Sequence, residues 1–127
     1  MAVNGPSDLG EAEEITLTLP AQPQFARVAR LTVTGLASRV GFTYDEIEDL
    51  RIAVGEVFSL LLTGTGGRLT FRCQVGPDAV SVVASRDPVG EPLEVGDLSR
   101  QILLAVVDEL DLDVPGGSVR VAKRHRA

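Results

Sequence analysis

The chain has 127 residues, 44% of them hydrophobic, and a formal net charge of −6, which is enough for one globular domain with a real core. That acidity argues against a generic nucleic-acid binder, and no apolar run approaches the ~20 residues of a membrane-spanning helix. Cys73 is the single cysteine and His125 the single histidine, which excludes an internal disulfide and a zinc site and suits a cytoplasmic location.

Residues 1–12 (MAVNGPSDLGEA) lack periodicity and carry Asn-Gly-Pro and Leu-Gly breakers, the composition of a flexible leader. One domain is expected over 13–124. Glu14 to Leu19 alternates strictly and stops at Pro20, predicting a half-buried strand. A helix follows over Pro23–Val40, with Phe25, Val28, Leu36 and Val40 inward and Arg27, Arg30 and Arg39 facing elsewhere; Gly41 ends it. Thr43-Tyr44-Asp45-Glu46 is a capping box that opens a second helix, whose stripe of Ile47, Leu50, Val54, Val57 and Leu61 faces the core. Ile52, Glu56 and Leu60 lie one turn apart on a different face. The run Gly64-Thr65-Gly66-Gly67 closes the helix.

Two strands, Arg68–Val75 and Ala79–Ser85, are joined by the turn Gly76-Pro77-Asp78. Cys73 falls on the alternating phase of the first and reads as a small core residue. Arg86–Gly96 reads as loop, and Leu98–Leu110 as a helix with Ile102, Ala105, Val106 and Glu109 at helical spacing. Pro115-Gly116-Gly117 turns the chain into a last strand, Ser118–Lys123. The basic cluster Lys123-Arg124-His125-Arg126 runs into a solvated basic tail, 125–127. The order β-α-α-β-β-α-β predicts a two-layer α/β sandwich, a mostly antiparallel mixed sheet with helices on one face.

Three stretches in this order carry a resemblance: Phe25-Ala26-Arg27-Val28, Asp49-Leu50-Arg51-Ile52-Ala53-Val54-Gly55-Glu56, and Val106-Val107-Asp108-Glu109 followed by Gly117-Ser118-Val119-Arg120-Val121. Over residues 14–124 the chain resembles the RsbW-type anti-sigma factors, which double as serine kinases on the ATPase fold of histidine kinases and gyrase B (the Bergerat or GHKL fold). The resemblance places Glu56 where active members keep the general base, and Leu60 where an asparagine holds the Mg²⁺ that bridges the ATP phosphates. Mg²⁺ demands oxygen ligands, and leucine has none; phosphoryl transfer depends on that metal.

The resemblance also implies an adenine-binding aspartate at Asp87 and glycines that let backbone approach the nucleotide. Here Asp87-Pro88-Val89-Gly90 keeps the aspartate and Gly90 but lacks the middle glycine. The second glycine box falls near Asp97-Leu98-Ser99, where an aspartate would repel phosphate at a helix N-terminus. The expectation is a vestigial pocket with no ATP, no metal and no catalytic residue. The partners implied are an alternative sigma factor of the stress-response or sporulation type and a STAS-domain anti-anti-sigma protein, with a homodimer, no direct nucleic acid and no membrane. They would compete for a surface that includes Phe25, Arg27 and Arg30. An active serine kinase that phosphorylates its antagonist, and a pseudo-ATPase that senses another small molecule, stand as alternatives.

Overall fold

The computed structural model describes residues 12–62 and 66–126. The expected leader, apart from Ala12, lies outside the described residues, as do Gly64, Thr65 and Ala127.

Strand β1 (Glu13–Pro20) leads through a 3₁₀ turn at Pro23–Phe25 into helix α1 (Ala26–Arg39) and helix α2 (Tyr44–Leu61). Strands β2 (Arg68–Val75) and β3 (Ala79–Asp87), helix α3 (Asp97–Val106), and strands β4 (Glu109–Asp113) and β5 (Ser118–Arg124) complete the chain. The strands form one sheet in the order β1-β2-β3-β5-β4. Each pairing is antiparallel, so the sheet is not mixed as the sequence suggested.

Alternation along β2 sends Leu69, Phe71, Cys73 and Val75 toward the helices, where all four are buried. The α2 stripe of Leu50, Ala53, Val54, Val57, Phe58 and Leu61 meets them, and Phe58 stacks on Phe71 with ring centroids 6.0 Å apart. Burial pushes the Cys73 thiol up to about 11, which makes it an inert packing residue. The capping box forms as read: the Glu46 amide donates to the Thr43 hydroxyl at 3.2 Å and the Thr43 amide to the Glu46 carboxylate at 2.8 Å.

Four expectations need correcting. In α1 the buried residues are Ala29, Val33 and Ala37; Val28 is 40% exposed, while Phe25, Leu36 and Val40 only flank the core. The three inward side chains are small or β-branched, so α1 beds closely on α2 and turns its larger groups outward. Next, α3 ends at Val106, and Glu-Leu-Asp-Leu-Asp at 109–113 forms the edge strand β4. The period-two alternation of that segment overrides its helical spacing because β5 offers a register for it, Leu110 opposite Val121 and Leu112 opposite Val119. Within α3 it is Leu103 that is fully buried, not Ile102 or Ala105.

The third correction is that β3 runs on to Asp87, two residues past its expected end. The fourth concerns the tail. Lys123 is buried and bonds to Asp49 at 2.8 Å. Arg124 pairs with Glu109, and Arg126 with Asp108 at 2.7 Å. His125 stacks on Phe42, centroids 5.2 Å apart, and its Nδ1 lies 2.8 Å from Glu46. Each member of the basic cluster has a partner, so it is docked on the domain and presents no free positive patch. No described helix is long and apolar enough to cross a membrane.

Candidate functional site

Where α2, the end of β3, the following loop and the start of α3 converge, they enclose a cleft of about 670 Å³. Glu56, Ser59 and Leu60 reach it from α2, Leu62 from the end of that helix, Arg86 from β3, Gly90, Glu91, Pro92 and Glu94 from the loop, and Ser99 from α3. Helical spacing explains the α2 contribution. The buried stripe takes positions 50, 53, 54, 57, 58 and 61, leaving Glu56 and Leu60, one turn apart, on the flank toward α3. The Ser99 hydroxyl donates to Glu56 Oε2 at 2.6 Å. The carboxylate expected as a vestigial base therefore has a protein partner on the element where a second glycine box would begin.

The structure brings Glu56, Leu60 and Gly90 together in this cleft. It does not bring Asp87. Strand β3 sends Val80, Val82, Ala84 and Arg86 to the helix side, so Asp87 falls on the opposite phase and is exposed. The cleft-facing position at the end of β3 belongs to Arg86, which is only 7% exposed. Its Nε donates to the Val89 carbonyl at 2.5 Å and its Nη2 to the Glu91 carbonyl, so the guanidinium fastens the loop that walls the cleft. Gly117 passes beside it: a Cβ there would sit 3.2 Å from Arg86 Nε. On the far side of β3, Gly67 has φ +92° and a Cβ would meet the Asp87 carbonyl oxygen at 2.5 Å, so only glycine fits that crossing.

Arg86 and Ser59 are additional to the residues expected at the site, although continuing the Val80-Val82-Ala84 alternation one step points to Arg86. Asp97 does open α3, after Gly96 at the N-cap with no side-chain cap. A carboxylate thus stands in the first turn, where the helix dipole would otherwise favour an anionic ligand.

The second expected site, at the start of α1, is only partly assembled. Arg27 is exposed, Phe25 packs on the edge of the core, and Arg30 is half-buried and lies across α2. A Cβ on Gly55 would be 3.6 Å from its Cδ and from Nη1. That is ordinary van der Waals distance, so packing alone does not require a glycine there. Beside Arg27 the same helix exposes Val28 and Leu31, the latter 60% accessible.

These features define a fold, a two-layer GHKL-like sandwich of helices over one antiparallel sheet, with a cleft between α2 and α3. In sequence and fold the chain is similar to RsbW proteins over part of their length. A solved structure of the RsbU and RsbW domains of a Mycobacterium tuberculosis protein shares the fold, with a TM-score of 0.66 and 18% identity over 90% of this chain and 32% of that one. A curated relative from Bacillus subtilis, the serine-protein kinase RsbW, is 58% identical over 45 residues, 35% of this chain and 28% of the relative. Proteins of the same name from Halalkalibacterium halodurans and Listeria monocytogenes are 54% and 51% identical over 46 and 47 residues. The match thus spans under a third of the length of these relatives. No protein-family model matches the chain.

Proposed function

We propose that this chain is an anti-sigma factor that acts by binding alone. It sequesters an alternative sigma factor of the stress-response or sporulation type and is released by a STAS-domain anti-anti-sigma protein. The observation that carries the binding-only mechanism is the pairing of Glu56 with Ser99 in a cleft where Leu60 lies one turn away. A base and a Mg²⁺ ligand would have to act there, yet the carboxylate is engaged and its neighbour offers no oxygen. Arg86 supports the same reading, because it occupies the cleft-facing place that an adenine-reading aspartate would need. The protein works in the cytoplasm, as a homodimer, without direct contact to nucleic acid or membrane.

The test is capture of partners from the native cytoplasm by the tagged chain, with and without Mg-ATP. The expected result is a sigma factor and a STAS-domain protein in separate complexes, with yields that nucleotide does not change. Recovery of neither would overturn the assignment. A nucleotide-dependent exchange between them would overturn the binding-only mechanism.

One observation favours a second reading, an active serine kinase: the curated relatives named above are serine-protein kinases, and the resemblance to that family puts Glu56 at its base position. Incubation of the captured antagonist with this chain and labelled ATP separates the two. Phosphoserine on the antagonist establishes the kinase; its absence, with the complex intact, leaves binding alone.

A further inference from the structure

The connection between β3 and α3, residues 88–96, is held in two parts by different means. Its second part is pinned by packing: Leu93 is 5% exposed, and its amide donates to the Val114 carbonyl at 2.9 Å. Residues 88–92 have no such burial. All five are exposed, and Gly90 turns the chain at φ +68° with nothing within 4 Å of where a Cβ would stand. Exposed chain with a glycine at its centre and no strand partner is ordinarily mobile.

Among the described residues, the hydrogen bonds that tie this stretch to the domain come from the guanidinium of Arg86. Nε donates to the Val89 carbonyl and Nη2 to the Glu91 carbonyl, one on each side of Gly90. Arg86 is itself fixed in place. It is buried, and its amide donates to the Gly117 carbonyl at 3.2 Å. A Cβ on Gly117 would stand 3.2 Å from Arg86 Nε and 3.3 Å from both Arg86 Cγ and Val89 Cγ1, so the bare glycine leaves room for the whole arrangement. A buried guanidinium has to find acceptors, and its planar fork can serve two carbonyls at once. The side chain needs the two carbonyls, and the stretch needs the side chain.

We infer that Arg86 is a latch at the end of β3 that holds residues 88–92 closed as a strap along the cleft, by contacts within the chain alone. The strap brings Gly90, Glu91 and Pro92 to the cleft wall. Releasing the latch frees it between Asp87 and Leu93 and widens the approach to Glu56 and Leu60. Arg86 is thus a positioning residue, and the chain itself sets the shape of the cleft. That closure needs no nucleotide rests on the reading that Mg-ATP is not the cleft's ligand, and the test separates the two.

Backbone ¹⁵N relaxation on the full chain, wild type and Arg86→Gln, reads the latch residue by residue. In wild type the amides of Val89, Gly90 and Glu91 should have order parameters of about 0.85, as in the strands, and in Arg86→Gln they should fall below about 0.6. Leu93 and Val95 should keep their wild-type values, because packing holds Leu93 independently. A strap already flexible in wild type, or still rigid in Arg86→Gln, overturns the latch. Equal loosening of residues 89–91, Leu93 and β3 overturns it too, since that is general destabilisation. Should Arg86→Gln not fold, Arg86→Lys decides: it keeps a cationic side chain but not the fork, and an unchanged strap in that variant overturns the latch. Added Mg-ATP should leave the wild-type strap as it was. A strap that becomes rigid only with Mg-ATP overturns both the latch and the binding-only mechanism. A strap rigid without nucleotide, in a protein whose Glu56 and Leu60 resonances nonetheless shift with Mg-ATP, upholds the latch and overturns the binding-only mechanism alone.

Discussion

Replacing Glu46 with glutamine probes a side chain with three hydrogen-bonding partners among the described residues. Oε1 accepts from the Thr43 amide at 2.8 Å and lies 2.8 Å from His125 Nδ1, while Oε2 accepts from the Arg126 amide at 2.7 Å. Burial pushes this carboxyl up, but the Arg126 and Thr43 amides, with His125 and the Thr43 hydroxyl, outweigh it and lower its pKa from the ordinary 4.5 to about 2. At about 1.36 kcal/mol per tenfold change in proton affinity, that difference amounts to roughly 3 kcal/mol of folding stability. The side chain is only 11% exposed, so solvent screening removes little of it.

The sign follows from the direction of the shift. The folded-state value lies below the unfolded one, so the contribution is fully present above about pH 5 and is lost as pH falls toward 2. Glutamine keeps one acceptor oxygen and turns an NH₂ toward a donor that the carboxylate satisfied. Urea denaturation of both proteins by far-UV circular dichroism, from pH 7 down to pH 3, gives the difference in unfolding free energy at each pH. It should be about 3 kcal/mol at neutral pH and shrink steadily below about pH 5. Other carboxylates titrate equally in both proteins, so the difference isolates Glu46. A gap below 1 kcal/mol, or one that does not change with pH, would refute the assignment of this stability to the ionised Glu46.

Mg-ATP should leave the melting temperature unchanged, whereas a ligand at a hundredfold its dissociation constant would add about 2.7 kcal/mol; a micromolar constant by calorimetry would contradict the binding-only mechanism. Leu60→Asn should restore neither nucleotide binding nor kinase activity and should cost on the order of 1 kcal/mol, since Leu60 packs partly against the core; phosphotransfer by the single variant would count against it. Arg27→Glu should weaken sigma-factor and antagonist binding alike by about 2–4 kcal/mol with little change in melting temperature, because Arg27 is exposed; normal binding to both would remove the shared surface. Gly67→Ala should destabilise by at least about 2 kcal/mol, from a left-handed backbone and a contact with the Asp87 carbonyl, and a wild-type urea midpoint would contradict that.

What the sequence shows of this fold is what short-range rules govern. The capping box at Thr43 and Glu46, the alternation of β2 and β3, and the pairing of Glu56 with Leu60 on one flank depend on neighbours within a turn or a few strand positions. All are present as read. The departures come where two local patterns coexist or where distant segments meet. Residues 106–113 satisfy a helical and an alternating period at once, and only the presence of β5 decides between them. Ser99 meets Glu56 across 43 residues and His125 meets Glu46 across 79, and no local spacing encodes either contact. Arg86 is a different failure. Its strand phase is plain, but an arginine reads as an outward residue unless backbone carbonyls are there to receive it.

The position of β5 inside the sheet, between β3 and β4, bears on how the protein is made. Synthesis delivers β1, α1, α2, β2 and β3 first, and these cannot finish the fold, because β3 keeps an unpaired edge until residues 118–124 arrive. Until then the nascent domain presents a row of free amides and carbonyls, flanked by the apolar faces of Val80, Val82 and Ala84. The segment that closes this edge also brings Lys123 to Asp49 and the amide of Arg126 to Glu46, sealing the front of α2 in the same event. Ribosomal stalling or premature termination before β5 is made therefore yields an adhesive fragment, a substrate for chaperones and proteases, not a weakened version of the domain.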